Sequence, residues 1–174
     1  MGLAVFNGDT LVGELSGIDC ICHLIINNEL ERATISIPSP FDEEETIALE
    51  IALTNSTSKS VKLINNYPYI KTNTEITARI LSLTNGIDYT DKENLKKVEE
   101  YANNYLETQI KKYLYKTSKE LRSDIAGFGK ELRKGYLTLA EFYQSDWLNN
   151  YENAFFDVNI KANVIDSYLF TKIS

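Results

Sequence analysis

The sequence predicts an α+β fold: an antiparallel or mixed β-sheet packed against a long amphipathic helix and shorter helices. Three observations lead there. Apolar residues alternate with polar ones through most of the first half, clearest at Ile47, Leu49, Ile51 and Leu53. The period then changes: Leu95, Val98, Ala102, Tyr105 or Leu106, Ile110, Tyr113 or Leu114, Leu121 and Ile125 step by three or four. Alternation returns at Phe156, Val158, Ile160, Ala162 and Val164, so a last strand rejoins a sheet begun far earlier. Strands in one block and helices in another define this class.

Each element has its own reason. Residues 3 to 15 read LAVFNGDTLVGEL, a hairpin around Asn7-Gly8, where both residues tolerate positive φ. Ser16 and Asp19 form a capping box for a helix whose apolar face carries Ile18, Ile21, Cys22 and Ile25. Ala33, Ile35 and Ile37 read as a half-buried strand, and Pro38, Pro40 and the acidic run 42–45 as a loop. Strands follow the 47–53 alternation at about 58 to 64 and 69 to 83, joined through Asn65-Asn66-Tyr67-Pro68. Thr90 with Glu93 suggests a second capping box. The helix after it reads as unbroken to Ile125, roughly 50 Å long. Glu93 with Lys97 and Glu107 with Lys111 read as i,i+4 pairs on its wet face. One shorter helix is expected at about 138 to 150, with Phe142 and Trp147.

Whole-chain numbers narrow the function. The 174 residues suit one domain, 1–174, able to bury a core without disulfides. A net charge of -7 argues against nucleic acid as a partner, because phosphates call for a basic face. It equally disfavours a polybasic membrane-surface module. No apolar run approaches the roughly 20 residues of a membrane-spanning helix. Met1 opens no signal peptide, so an exported natural protein would contain this chain as one part.

Several stretches tempt a chemical reading. SDIAGFGKELRKGY, residues 123 to 136, holds Gly127 and Gly129 around Phe128. A phosphate loop needs a preceding strand and Gly-Lys followed by Ser or Thr, but here a helix precedes and Glu131 follows. The glycines read instead as a helix stop and restart, with Phe128 plugged into the core. Cys20 and Cys22 point about 160° apart on a helix and cannot share an ion. Cys20 and His23 would need two further organised ligands, so no metal or cofactor is expected. The acidic run 42–45 reads as solvated surface. A pair such as Asp146 and Glu152 would suit glycan hydrolysis only at a set separation.

The long helix carries Tyr101, Tyr105, Tyr113 and Tyr115. Tyr105 and Tyr113 fit its buried side, whereas Tyr101 and Tyr115 fall at its edge or in solvent. They read either as boundary residues of a helix on a sheet or as a docking face for another subunit.

GLAVFNGDTLVGEL at 2 to 15, SDIAGFGKELRKGY at 123 to 136 and the alternating last strand resemble the C-terminal domain of the Ger(x)C family, the C subunits of bacterial spore germinant receptors. Both motifs stand in the family's order with the long helix between them. Glu14 departs from the large apolar residue common there, and the Tyr-Pro and Trp pattern is reduced to Gly135-Tyr136 and Trp147. The resemblance singles out Asp124, Gly127, Phe128 and Gly129 as motif residues; Tyr101 and Tyr115 are candidate contacts from their place on the long helix alone. It implies a non-enzymatic domain of a longer lipoprotein on the outer face of the spore inner membrane. Its lipid anchor would lie outside this sequence. Its partners would be the integral membrane A and B subunits, acting in nutrient-triggered germination. A spore-envelope or cell-surface glycan hydrolase is the alternative expectation, and it calls for a cleft with paired carboxylates.

Overall fold

A computed structural model of the chain describes residues 2–7, 9–42, 44–65, 67–82, 87–89 and 91–165. Strands β1 (Leu3–Asn7) and β2 (Thr10–Leu15) form the expected antiparallel hairpin. Gly8 at its turn lies outside the described residues. Helix α1 (Gly17–Asn27) follows, with the Ser16–Asp19 capping box intact. It ends at Asn28, in the left-handed conformation at φ 62°. The Asn28 side chain clasps Thr57, accepting from its N–H at 2.5 Å and donating to its carbonyl at 3.4 Å. Thr57 in turn bonds Thr74 within the sheet.

The main sheet contains β3 (Ala33–Pro38), β4 (Thr46–Leu53), β5 (Ser58–Ile64), β6 (Tyr67–Ile80) and β7 (Phe155–Ile165). Its organising strand is β6. The first half of β6 pairs with β5 and the second half with β4, both antiparallel along one edge. Strand β7 runs parallel along the other edge, from Tyr69↔Phe155 to Arg79↔Ile165, so the sheet is mixed. Tyr67 and Pro68, expected in a connector, already belong to β6, where Pro68 pairs with Leu63 near the strand's start. The even-numbered positions of β6 from Pro68 to Ile80 are buried, and this face meets the helices.

Helix α2 (Lys92–Tyr115) crosses that face antiparallel to β7. Its N-cap is Asp91, whose carboxylate accepts from the Glu93 N–H at 3.1 Å; Thr90, expected in this role, lies outside the described residues. Val98, Ala102, Leu106, Ile110, Tyr113 and Leu114 are buried as the spacing predicts, with Leu106 rather than Tyr105 on the core stripe. The helix does not reach Ile125. It widens into a π-turn over Lys116–Glu120 and stops at Arg122, at φ 46°. Local bonds contribute: the Thr117 and Ser118 hydroxyls donate back to the Leu114 and Tyr115 carbonyls, bonds that bend helices, and Tyr151 of a later segment fixes Thr117 in place.

The short helices are α3 (Phe128–Arg133), α4 (Leu139–Gln144) and α5 (Trp147–Tyr151). The single helix expected at 138 to 150 is therefore two. The Ser145 hydroxyl donates to the Phe142 carbonyl at 2.6 Å, and Asp146 turns left-handed at φ 46° before α5 begins.

One further correction concerns the pairs expected on the wet face of α2. Glu107 faces the sheet and accepts from the Ile160 N–H at 3.2 Å. Asn103 accepts from Ala162 at 2.7 Å and Glu99 from Val164 at 3.0 Å. Lys97 lies over the Phe41 ring, 5.8 Å from its centroid, instead of pairing with Glu93.

Candidate functional site

The 123–136 stretch wraps around Asp124. One carboxylate oxygen accepts from the Phe128 N–H at 2.9 Å. The other accepts from the Gly129 N–H at 2.6 Å and from the Trp147 indole N–H at 2.9 Å. Burial pushes the Asp124 carboxyl up from its ordinary range, and the three donors and nearby Lys59 only partly offset that. Gly127, at φ 72°, starts α3; the helix stop assigned to these glycines falls earlier, at Arg122. Gly129 is a helical residue with no room for a side chain: a Cβ there would lie 2.6 Å from the Trp147 indole nitrogen and 3.2 Å from Asp124. Phe128 is fully buried, as expected.

Phe128 belongs to an aromatic cluster drawn from four elements. Its ring is 6.3 Å from Tyr151 and 6.3 Å from Phe156. Trp147 stacks obliquely on Tyr151 at 5.4 Å, and Tyr115 meets Phe156 edge-on at 5.0 Å. The Thr117 hydroxyl gives its one proton to the Leu114 carbonyl, so the Tyr151 hydroxyl donates to Thr117, at 2.9 Å. Burial holds the Tyr151 phenol far above its usual range, keeping that proton in place.

Lys59 of β5 closes the other side. Its ammonium donates to the Ala126 carbonyl at 2.8 Å and to Asn27 at 3.1 Å, and sits 5.5 Å above the Phe128 ring. Burial lowers its pKa. Asn27 also reaches His23, with its amide nitrogen 3.1 Å from Nε2, while Nδ1 lies 2.8 Å from the Tyr113 hydroxyl. A neutral ring with its proton on Nδ1 satisfies both: Nδ1–H donates to Tyr113 and Nε2 accepts from Asn27. Burial lowers the His23 pKa in the same sense. Cys22 is buried and its thiol is pushed up to about 12, again by burial first. Among the described residues, no group of three or more His, Cys, Asp or Glu side chains could hold a metal ion.

The structure thus brings Asp124, Gly127, Phe128 and Gly129 together and links Tyr115 to them through Phe156. Tyr101 stands apart, 46% exposed beside Tyr105 and Pro38. Lys59 and Tyr151 joined the cluster without a motif to announce them; Phe156 stood in the alternating last strand, and Trp147 in the expected short helix and the reduced family pattern, neither marked as a partner of this joint. Asp42 of the acidic run, and the pair Asp146 and Glu152 weighed for glycan chemistry, serve other ends. Asp42 caps a turn at Glu44, Asp146 accepts from Asn149, and Glu152 pairs with Arg122 at 3.1 Å.

These features define a class: an α+β protein whose sequence motif builds a packed joint between the last turn of a long helix, two short helices and two strands. Residues 1–168 match the model of the family described as spore germination B3/GerAC like, C-terminal, and the chain belongs to that family. Among solved structures it resembles the crystal structure of the GerBC protein, with a TM-score of 0.74 and 17% sequence identity. The match covers 94% of this chain and 50% of that one, so the chain spans half the length of that relative. No curated protein matches the sequence.

Proposed function

We propose that residues 1–174 form a single domain, the C-terminal part of a longer germinant receptor C subunit. In this reading the domain is non-enzymatic. It works with the integral membrane A and B subunits at the outer face of the spore inner membrane, in nutrient-triggered germination. A lipid anchor outside this sequence would hold the whole subunit there. The observation that carries the reading is the family match over nearly the whole chain. The motif chemistry agrees with it. Both oxygens of Asp124 are engaged by N–H donors, and such a carboxylate holds a joint in place instead of relaying protons. Tyr101, exposed on α2, is the candidate contact for another subunit.

The test is a pull-down from detergent-solubilised membranes of dormant spores with antibody to this domain, followed by mass spectrometry. Recovery of a longer lipidated form with two polytopic membrane proteins is the expected result. Tyr101→Ala should lower that recovery while leaving the domain folded. Recovery of the polypeptide alone, in the soluble fraction, would sink the receptor reading.

A further inference from the structure

The C-terminal end of α2 carries charge of the wrong sign for this protein. Lys111, Lys112, Lys116 and Lys119 fall within nine residues, in a chain of net charge -7. With Thr108 and Tyr115 they line an open cleft of about 670 Å³ along the last turns of α2, beside Asp19 of α1. Only two carboxylates share it, Asp19 and Glu120. Asp19 is already held by Lys116 at 2.8 Å. Among the described residues, Lys111, Lys112 and Lys119 make no ion pair. Lys119 instead lies 5.6 Å from the Tyr115 ring centroid. The cleft also spans the junction of α2 with the π-turn, so a helix irregularity of a kind common at functional sites sets where Lys116 and Lys119 project.

We propose that this lysine-lined face docks on the anionic headgroups of a phospholipid surface. The charge pattern selects that occupant. Free ammonium groups spread along roughly 12 Å of helix match an extended array of negative charge better than one compact ion. A small-anion site would converge its donors and bury at least one. The face holds lysines and no arginine. Lysine is a hydrated point charge suited to a wet, diffuse anionic layer, whereas the rigid arginine fork suits a paired carboxylate at a protein interface. Tyr115, apolar at its ring and polar at its tip, suits the headgroup level. The acidic remainder of the molecule is repelled by the same surface, which favours a single orientation. The overall charge, which by itself disfavours a membrane-surface role, thus becomes the orienting term once the lysines are segregated on one face. The inference rests on the membrane-side location proposed above.

The 174-residue chain is mixed with vesicles of phosphatidylcholine alone or phosphatidylcholine with phosphatidylglycerol, and bound protein is measured by sedimentation. Binding is expected only to the anionic vesicles, and only at low salt. Lys112→Glu with Lys119→Glu should lower the partition coefficient at least about tenfold. Lys62→Glu with Lys92→Glu makes the same change in net charge on exposed positions elsewhere, and should leave binding within about twofold. Circular dichroism checks that both variants are folded. No binding to the anionic vesicles, or equal losses in the two variants, would overturn the proposal. So would competition by soluble glycerophosphate at matching phosphate concentration, which would mark a small-anion site. No receptor subunit is present in this assay, so its result and that of the pull-down are read separately.

Discussion

At the scale of single residues, Asp124 shows how a short motif acts through geometry. Three N–H donors converge on one carboxylate, and Gly129 is small so that the indole of Trp147 can reach it. Asp124→Ala would leave those donors without an acceptor and should cost about 3 kcal/mol. Gly129→Ala would force the indole aside and should cost about 1–3 kcal/mol. Urea unfolding followed by Trp147 fluorescence measures both, since the chain has one tryptophan. His23 makes a different prediction. Its folded-state pKa is depressed, so above the ordinary value of 6.5 its neutral form contributes fully to stability. As pH falls below 6.5 the unfolded chain takes up a proton that the folded ring resists, and that stability is lost on the way down through the folded pKa. The protein has one histidine. The melting temperature should therefore drop between neutral and mildly acidic pH, and His23→Phe should flatten the drop even though it lowers stability throughout. An unchanged slope in the variant would assign the pH dependence to other groups.

At the scale of elements, the outer edge of β7 is closed by a helix. The even-numbered N–H groups of β7 point away from β6, and three of them meet Glu99, Asn103 and Glu107. The match is dimensional: four helix residues rise about 6.0 Å, and two strand residues about 6.6 Å. Acceptors spaced by four on α2 therefore keep step with donors spaced by two on β7, and an edge open to pairing with another chain is covered. Replacing all three residues by alanine should cost about 2–4 kcal/mol by denaturant titration. It should also raise self-association in sedimentation velocity. A variant that stays monomeric and equally stable would show that the acceptors contribute nothing to the edge.

At the scale of the whole molecule, one buried cluster runs from Val5 of the hairpin through α1, the sheet and α2 to Val164 of β7. Strands β6 and β7, far apart in sequence, are joined along eleven residue pairs. If residues 1–174 are a single domain, as proposed, unfolding should be one cooperative transition, with Trp147 fluorescence and far-ultraviolet ellipticity coinciding. Two separated transitions would divide the chain.

Local chemistry was legible in the sequence wherever periodicity or a cap decides the outcome. The Ser16–Asp19 box, the alternation at Ile47 to Leu53 and the core stripe of α2 depend on neighbours a few residues away, and they appear where the pattern places them. The family motif was legible as well, as a joint with Phe128 inside. Long-range partners decided the rest. The end of α2 depends on Thr117, whose hydroxyl turns back on the helix and receives Tyr151 from α5. The orientation of Glu107 depends on a strand that arrives about fifty residues later, and the pairing with Lys111 expected from helix spacing yields to an unpaired backbone N–H. Lys59 reaches Ala126 across 67 residues, with no periodic signal at either end. The sequence by itself determined the order and type of the main elements, their apolar stripes and the motif, because those follow from local dihedrals and from which side chains leave water. Only the tertiary structure decided the parallel β6–β7 pairing, the aromatic joint around Asp124 and the helix-capped sheet edge. Each of these brings together hydrogen-bonding or packing groups from distant parts of the chain, and local periodicity carries no record of such partners.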